Sequence, residues 1–118
     1  MGTQANISVV HSDNTVSTIY LHYDGYPSYA LEMLKEHYNS QEKADALVAL
    51  GNLSVLNPSI ECPEGHSFET PVKGYTIAYH RDRGEEWSRT QPSRTDYSYF
   101  ERDRGYHYIF KNNEWQQL

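Results

Sequence analysis

An α+β fold, with a helix pair laid on one face of an antiparallel sheet, is predicted by three features of the chain. Runs alternating apolar and polar residues lie near both ends, which is the pattern of strands with one buried face. Between them, Ile19 to Leu53 reads as a strand, a tight turn and two helices with recognisable ends. With 118 residues there is material for one modest core, so residues 1–118 are expected to form a single two-layer domain with about four to five strands.

Taken in order, Ile7 to Val10 predicts a short strand, Ser12-Asp13-Asn14 a turn, and Val16 to Tyr23 a second strand, together a β-hairpin. Ile19, Leu21 and Tyr23 share one face of that second strand. Asp24-Gly25 breaks it, because glycine accepts the positive φ that such a turn needs. Pro27 suits the first turn of a helix, where its missing N–H costs nothing. Ala30, Leu31, Leu34 and Tyr38 then make an apolar stripe at spacings of three and four, with Glu32, Lys35 and Glu36 outside it. Asn39 followed by Glu42 predicts a capping box for a second helix, whose apolar face is Ala44, Leu47 and Val48 and whose end is marked by Gly51. A linker of about two residues makes the helices a tight antiparallel or steeply crossed pair facing a sheet.

Pro58, Pro63, Gly65 and Pro71 make Asn57 to Lys73 an irregular loop that packs through Ile60 and Phe68. Gly74 to Tyr79 predicts a strand with Tyr75, Ile77 and Tyr79 on one side, and His80 to Thr95 a polar excursion interrupted by Trp87. From Tyr97 to Leu118 the chain predicts more sheet: Tyr106, Tyr108 and Phe110 alternate with His107 and Ile109, Lys111-Asn112-Asn113 turns, and Trp115 returns. RDRG occurs twice, at Arg81 to Gly84 and Arg102 to Gly105, and reads as two hairpin turns whose Arg and Asp pair locally for at most about 1 kcal/mol.

Composition narrows the class. Hydrophobic residues are 37% of the chain and 11 are tyrosines, so much apolar surface carries a hydroxyl that needs a partner or water. Cys62 is the single cysteine, which excludes an internal disulfide and fits a reducing cytoplasm. MGTQANIS lacks the apolar core of a signal peptide, and no run approaches the roughly 20 residues of a membrane span. A soluble protein of the cytoplasm is expected. Residues 1–70 carry a balance of −7 and residues 71–118 of +1, together the net −6 of the chain, and all six arginines lie between Arg81 and Arg104. A surface polarised between an acidic part and an arginine- and tyrosine-bearing part follows, with ordinary solvated faces as the competing reading.

Several stretches resemble a family of small proteins carried by bacteriophages, prophages and related mobile elements. They are YLHYDGYP (Tyr20 to Pro27), EHYNSQEKADALVALGNLSVL (Glu36 to Leu56), AYHRDRGEE (Ala78 to Glu86) and the closing YHYIF (Tyr106 to Phe110) with Glu114-Trp115. The DGYP and YHRDRGE blocks are the specific ones. Members of the family usually begin Ser-Thr-Arg-Ser before an Ile strand, whereas Gly2 to Ile7 here reads GTQANI, so any role of that arginine is missing. The resemblance implies a mobile-element origin, in the cytoplasm of a bacterial host, and supplies no active site.

Chemistry-bearing constellations are few. Cys62 and His66 lie four apart in CPEGH, but structural zinc prefers four ligands with several thiolates, and no metal or cofactor is expected. A nucleophilic Cys62 lacks a helix start beside it to lower its thiol pKa. No glycine-rich phosphate loop or Gly-x-Ser-x-Gly elbow is present. Tyr79, His80, Arg81, Arg83, Glu85, Glu86 and Trp87, joined by Arg102 and Arg104, form an arginine and aromatic cluster rich in the residue types of interface hot spots. The alternative for its His80 to Glu86 part is a small enzyme or a nucleotide- or nucleic-acid-binding site. The acidic total disfavours direct nucleic-acid binding. Asp24, Glu32, Glu36, Glu42 and Asp45 form a candidate acidic face able to imitate DNA phosphates and dock on a basic groove. No catalytic residue is assigned. The expectation is a phage or mobile-element accessory protein that binds a host protein or defence complex as an anti-CRISPR-like inhibitor, with a homodimer left open.

Overall fold

The computed structural model describes residues 3–102 and 104–118. Gly2 and Asp103, the latter within the second RDRG tetrapeptide, lie outside the described residues. β1 (Ala5–Val10) and β2 (Thr15–Leu21) form the expected antiparallel hairpin, in register from Ala5↔Leu21 to Val10↔Val16. The turn is held by the Asp13 carboxylate, which accepts from the Thr15 amide at 3.1 Å and the Thr15 hydroxyl at 2.6 Å. Ala5, Ile7 and Val9 of β1 and Ile19 and Leu21 of β2 are buried on one face, as the period-2 alternation requires.

The Asp24-Gly25 turn uses its residues the other way round from expectation. Asp24 takes the positive φ, at 57°, and Gly25 supplies space. A Cβ on Gly25 would lie 2.7 Å from the Ala5 Cβ and 2.8 Å from the Thr3 carbonyl oxygen. Pro27 follows inside a helical turn closed by the Ala30 amide on the Tyr26 carbonyl at 2.8 Å. α1 (Ala30–His37) and α2 (Gln41–Val48) bury Ala30 and Leu34, and Ala44, Leu47 and Val48. The N-cap of α2 is Ser40 rather than Asn39: its extended backbone turns the hydroxyl to accept from the Lys43 amide at 3.2 Å, and Asn39 is one residue too early to do so.

β3 (Leu53–Val55) runs parallel to β2 at Leu21↔Leu53, and β4 (Ile77–Ala78) pairs antiparallel with β3. The strand expected over Gly74 to Tyr79 thus contracts to two residues. The expected polar excursion after it is structured: α3 (Tyr79–Arg83) ends at left-handed Gly84, α4 (Trp87–Thr90) follows, and β5 (Ser93–Asp96) pairs antiparallel with β2. The first RDRG is therefore the end of a helix and its cap, not a hairpin turn. After a 3₁₀ turn at Tyr97–Tyr99, β6 (Tyr106–Lys111) enters parallel to β1, and β7 (Glu114–Gln117) returns antiparallel to it. Asn112 and Asn113, at φ 52° and 63°, make the primed turn between them.

Among the described residues the sheet has seven strands, in the order β4-β3-β2-β1-β6-β7 with β5 beside β2. It is mixed, larger than the antiparallel sheet of about four to five strands expected. The parallel pairs arise because β3 and β6 each arrive through a long connection that reverses the chain, whereas only tight turns enforce antiparallel pairing. The helix pair belongs to the same core as Ile7, Leu21, Leu53, Tyr108 and Phe110, burying Leu34 and Leu47 among them. The other face carries a buried polar ladder, with the Ser8 hydroxyl 2.6 Å from Thr18 Oγ1 and 2.7 Å from His107 Nε2, and Phe100 standing edge-on to the His107 ring.

Candidate functional site

Of the five carboxylates proposed for an acidic face, the structure brings Glu36 and Glu42 together. They line a cleft of about 400 Å³ between the helix pair and the loop after β3, where Glu61 joins them. Tyr38, Ala46 and Ile60 contribute apolar wall, and Lys43 is the lysine at the site. Glu36 has His37 Nε2 at 4.0 Å, and Glu36 and Glu42 are both exposed. Glu32 is exposed on α1 outside the cleft, and Asp24 sits in the turn after β2.

Asp45 is drawn elsewhere. Its Oδ1 accepts from His11 Nδ1 at 2.9 Å and from Gln41 Nε2 at 2.8 Å, and His11 Nε2 accepts in turn from the Ser17 hydroxyl at 2.7 Å. The order serine, histidine, aspartate is that of a hydrolytic triad. Ser17, however, is 6% exposed and lies in a regular ladder between Val9 and Arg94, not on a strained turn that lifts a nucleophile toward substrate. The relay ties α2 to the hairpin. His11, Ser17 and Asp45 carry no motif spacing, so the relay is not legible in the sequence.

The arginine and aromatic cluster divides into a buried and an exposed part. Arg81 turns inward: its guanidinium donates to the carbonyls of Ile60 and of Thr76, the latter at 2.9 Å, and to the Asp82 carboxylate at 2.9 and 3.0 Å. Asp82, with a side chain 0% exposed, also accepts from the Ala78 amide at 2.7 Å and faces His66 Nε2 at 3.6 Å. Burial pushes the Asp82 carboxyl up, but the hydrogen bonds from Arg81 and Ala78 and the nearby Arg81 charge outweigh it, and the pKa falls below 3.8. His66 Nδ1 accepts from the Val72 amide at 2.9 Å, which puts a proton on Nε2, directed at Thr76 O at 3.2 Å. Cys62 is exposed, its sulfur 3.7 Å from Asp82 Oδ1 and 3.8 Å from the His66 carbonyl. These residues staple the loop after β3 onto α3.

The exposed part holds His80, Arg83, Glu85, Glu86 and Trp87. His80 Nδ1 donates to the Glu85 carbonyl at 2.7 Å and its ring meets Trp87 at 5.0 Å, while Arg83 lies over the Phe68 ring at 4.7 Å and pairs with Glu85 at 3.2 Å. Tyr79 meets the same Phe68 ring from 6.0 Å, and Glu86 pairs loosely with Arg89 at 4.0 Å. Arg102 and Arg104 are not part of this surface; Arg102 donates to the Gly105 carbonyl at 3.3 Å, and Arg104 lines a second cleft beside the start of β1.

The tyrosines split between core and surface. Tyr38 and Tyr108 are buried, and their hydroxyls donate to the Asn57 carbonyl at 2.5 Å and the Gly25 carbonyl at 2.6 Å; burial first, then the neighbouring Tyr106, pushes Tyr108 up to about 12. Tyr23, Tyr26, Tyr99 and Tyr106 remain exposed. Among the described residues no group of three His, Cys, Asp or Glu is placed to hold a metal ion, and no helix is long and apolar enough to cross a membrane. Comparison with protein-family models, with curated proteins and with solved structures finds no match.

Proposed function

We propose that the chain is a binding module of mobile-element origin that docks on a host protein through the carboxylates of its helix pair and inhibits a bacterial defence complex in the manner of an anti-CRISPR protein. One observation carries the docking part: Glu36, Glu42 and Glu61 meet around a partly apolar cleft with a single lysine. Three carboxylates around one lysine leave a local excess of negative charge suited to a basic groove that otherwise receives DNA phosphates. The resemblance to phage and prophage proteins supports the mobile-element and defence parts, and the cytoplasm of the bacterial host is the corresponding location. The inward turn of Arg81 and Asp82 favours binding over catalysis at the His80 to Glu86 stretch.

The test is capture from host lysate of partners of the tagged protein, at low salt and at about 0.5 M salt, where attraction between exposed charges is mostly screened. A stoichiometric partner lost at high salt, and lost at low salt from the triple variant Glu36→Lys, Glu42→Lys, Glu61→Lys, is expected. Undiminished binding by a folded triple variant would falsify the acidic-cleft reading.

A further inference from the structure

The second cleft lies on the face of the sheet turned away from the acidic helices. Asn6 and Tyr20 point there, because their neighbours in sequence, Ala5, Ile7, Ile19 and Leu21, face the core. The cleft has a volume of about 350 Å³, at the small-ligand end of binding pockets. It is walled by Tyr20 and Tyr106, with the amides of Gln4 and Asn6 and the guanidinium of Arg104. No carboxylate lines it among the described residues, in contrast to the three of the first cleft. Arg104 is also distinct among the arginines. Arg81, Arg83, Arg89 and Arg94 pair with acids and Arg102 with a carbonyl, whereas Arg104 has no such partner among the described residues.

We infer that this cleft binds a nucleotide unit, its base against the tyrosine rings and its phosphate on Arg104. Aromatic faces stack on any base, side-chain amides can pair with a base edge, and a guanidinium presents a fork that fits phosphate oxygens. The net charge of −6 opposes a polyanion only where the acids are near its path, and among the described residues a phosphate entering here meets a cation and no lining anion. The inference stands apart from the acidic-cleft reading, since the two sites share no residue.

The unit can be a free nucleotide or part of a single strand, and two probes separate these. Calorimetric titration with AMP, beside ribose 5-phosphate as the baseless control, reads the first; fluorescence anisotropy of a short labelled oligo-dA reads the second. Binding of AMP alone assigns a free nucleotide, and tight binding of the oligonucleotide alone assigns a strand. In either case Arg104→Ala and Tyr106→Ala, both at exposed positions, are expected to weaken binding roughly tenfold or more, as loss of a stacked base or a charged hydrogen bond implies, and Arg89→Ala to leave it unchanged. The inference is overturned if neither probe binds, if ribose 5-phosphate binds as well as AMP, or if the folded Arg104 and Tyr106 variants bind like the unchanged chain.

Discussion

Replacing Asp82 by Asn isolates the contribution of the buried charge that holds the loop after β3 to α3. The substitution preserves shape but turns one carboxylate oxygen into an NH₂ group. That group must face a donor, either the Ala78 amide now 2.7 Å from Oδ2 or the Arg81 Nε now 2.9 Å from Oδ1. One hydrogen bond to a charged group is lost, worth about 1.5–3 kcal/mol, and a buried donor is left without an acceptor. Removing one partner of a fully buried pair costs about 3–5 kcal/mol, but Arg81, at 24% side-chain exposure, can recover some hydration, so about 2–3 kcal/mol is expected. In a domain of 118 residues this lowers the melting temperature by roughly 8–12 °C. Urea unfolding followed by circular dichroism measures it, as a lower midpoint at unchanged slope. The pH dependence supplies a second check. The folded-state pKa of Asp82 lies below its ordinary 3.8, so its stabilisation is complete above that value and is lost as pH falls through the lower folded-state pKa. The gap between the two proteins should therefore be full at neutral pH and narrow only in the acid range below 3.8. A difference below about 0.5 kcal/mol at neutral pH, the usual range for surface substitutions, or a gap that widens on acidification, would show that the Asp82 charge does not hold the loop to α3.

Two further perturbations address the packing beneath the second cleft. Gly25→Ala drives a Cβ to within 2.7 Å of the Ala5 side chain and 2.8 Å of the Thr3 oxygen, and should destabilise by about 1–3 kcal/mol; an unchanged melting temperature would show that the start of β1 yields freely. Tyr108→Phe leaves the buried Gly25 carbonyl without the hydroxyl now 2.6 Å away and should cost about 1–3 kcal/mol by chemical denaturation. The same variant should reduce by one the late-ionising tyrosines in a spectrophotometric titration, since burial pushes Tyr108 up to about 12, and an unchanged number of them would contradict the assignment.

The hairpin, the helix pair and the β6–β7 return were legible because their signals are local. Alternation at Ile7 to Val9 and Ile19 to Leu21, the stripe Ala30, Leu34, Tyr38, and the Asn112-Asn113 turn each specify a conformation within a few residues. β5 was not legible: Ser93 to Asp96 has no buried apolar residue, and its pairing with β2 uses backbone groups any sequence possesses. Neither was the relay from Ser17 through His11 to Asp45, whose members lie 34 residues apart at their widest hydrogen bond.

The hairpin, the helix pair, the β6–β7 return and the gathering of acids in one part and arginines in another follow from the sequence alone, since these depend on neighbouring residues and on composition. Tertiary structure decided the direction in which β3 and β6 run, and which charges remain available. Arg81 and Asp82 lie within two residues of Arg83 in the chain, yet they are taken inward while Arg83 stays outside, because the loop carbonyls of Ile60 and Thr76 and the Ala78 amide need hydrogen-bond partners once water is excluded. Glu36, Glu42 and Glu61 meet only because the loop after β3 folds back beside the helix pair. Charge type is a property of a residue, but whether that charge faces solvent, a cleft or a buried partner depends on contacts made across the whole chain.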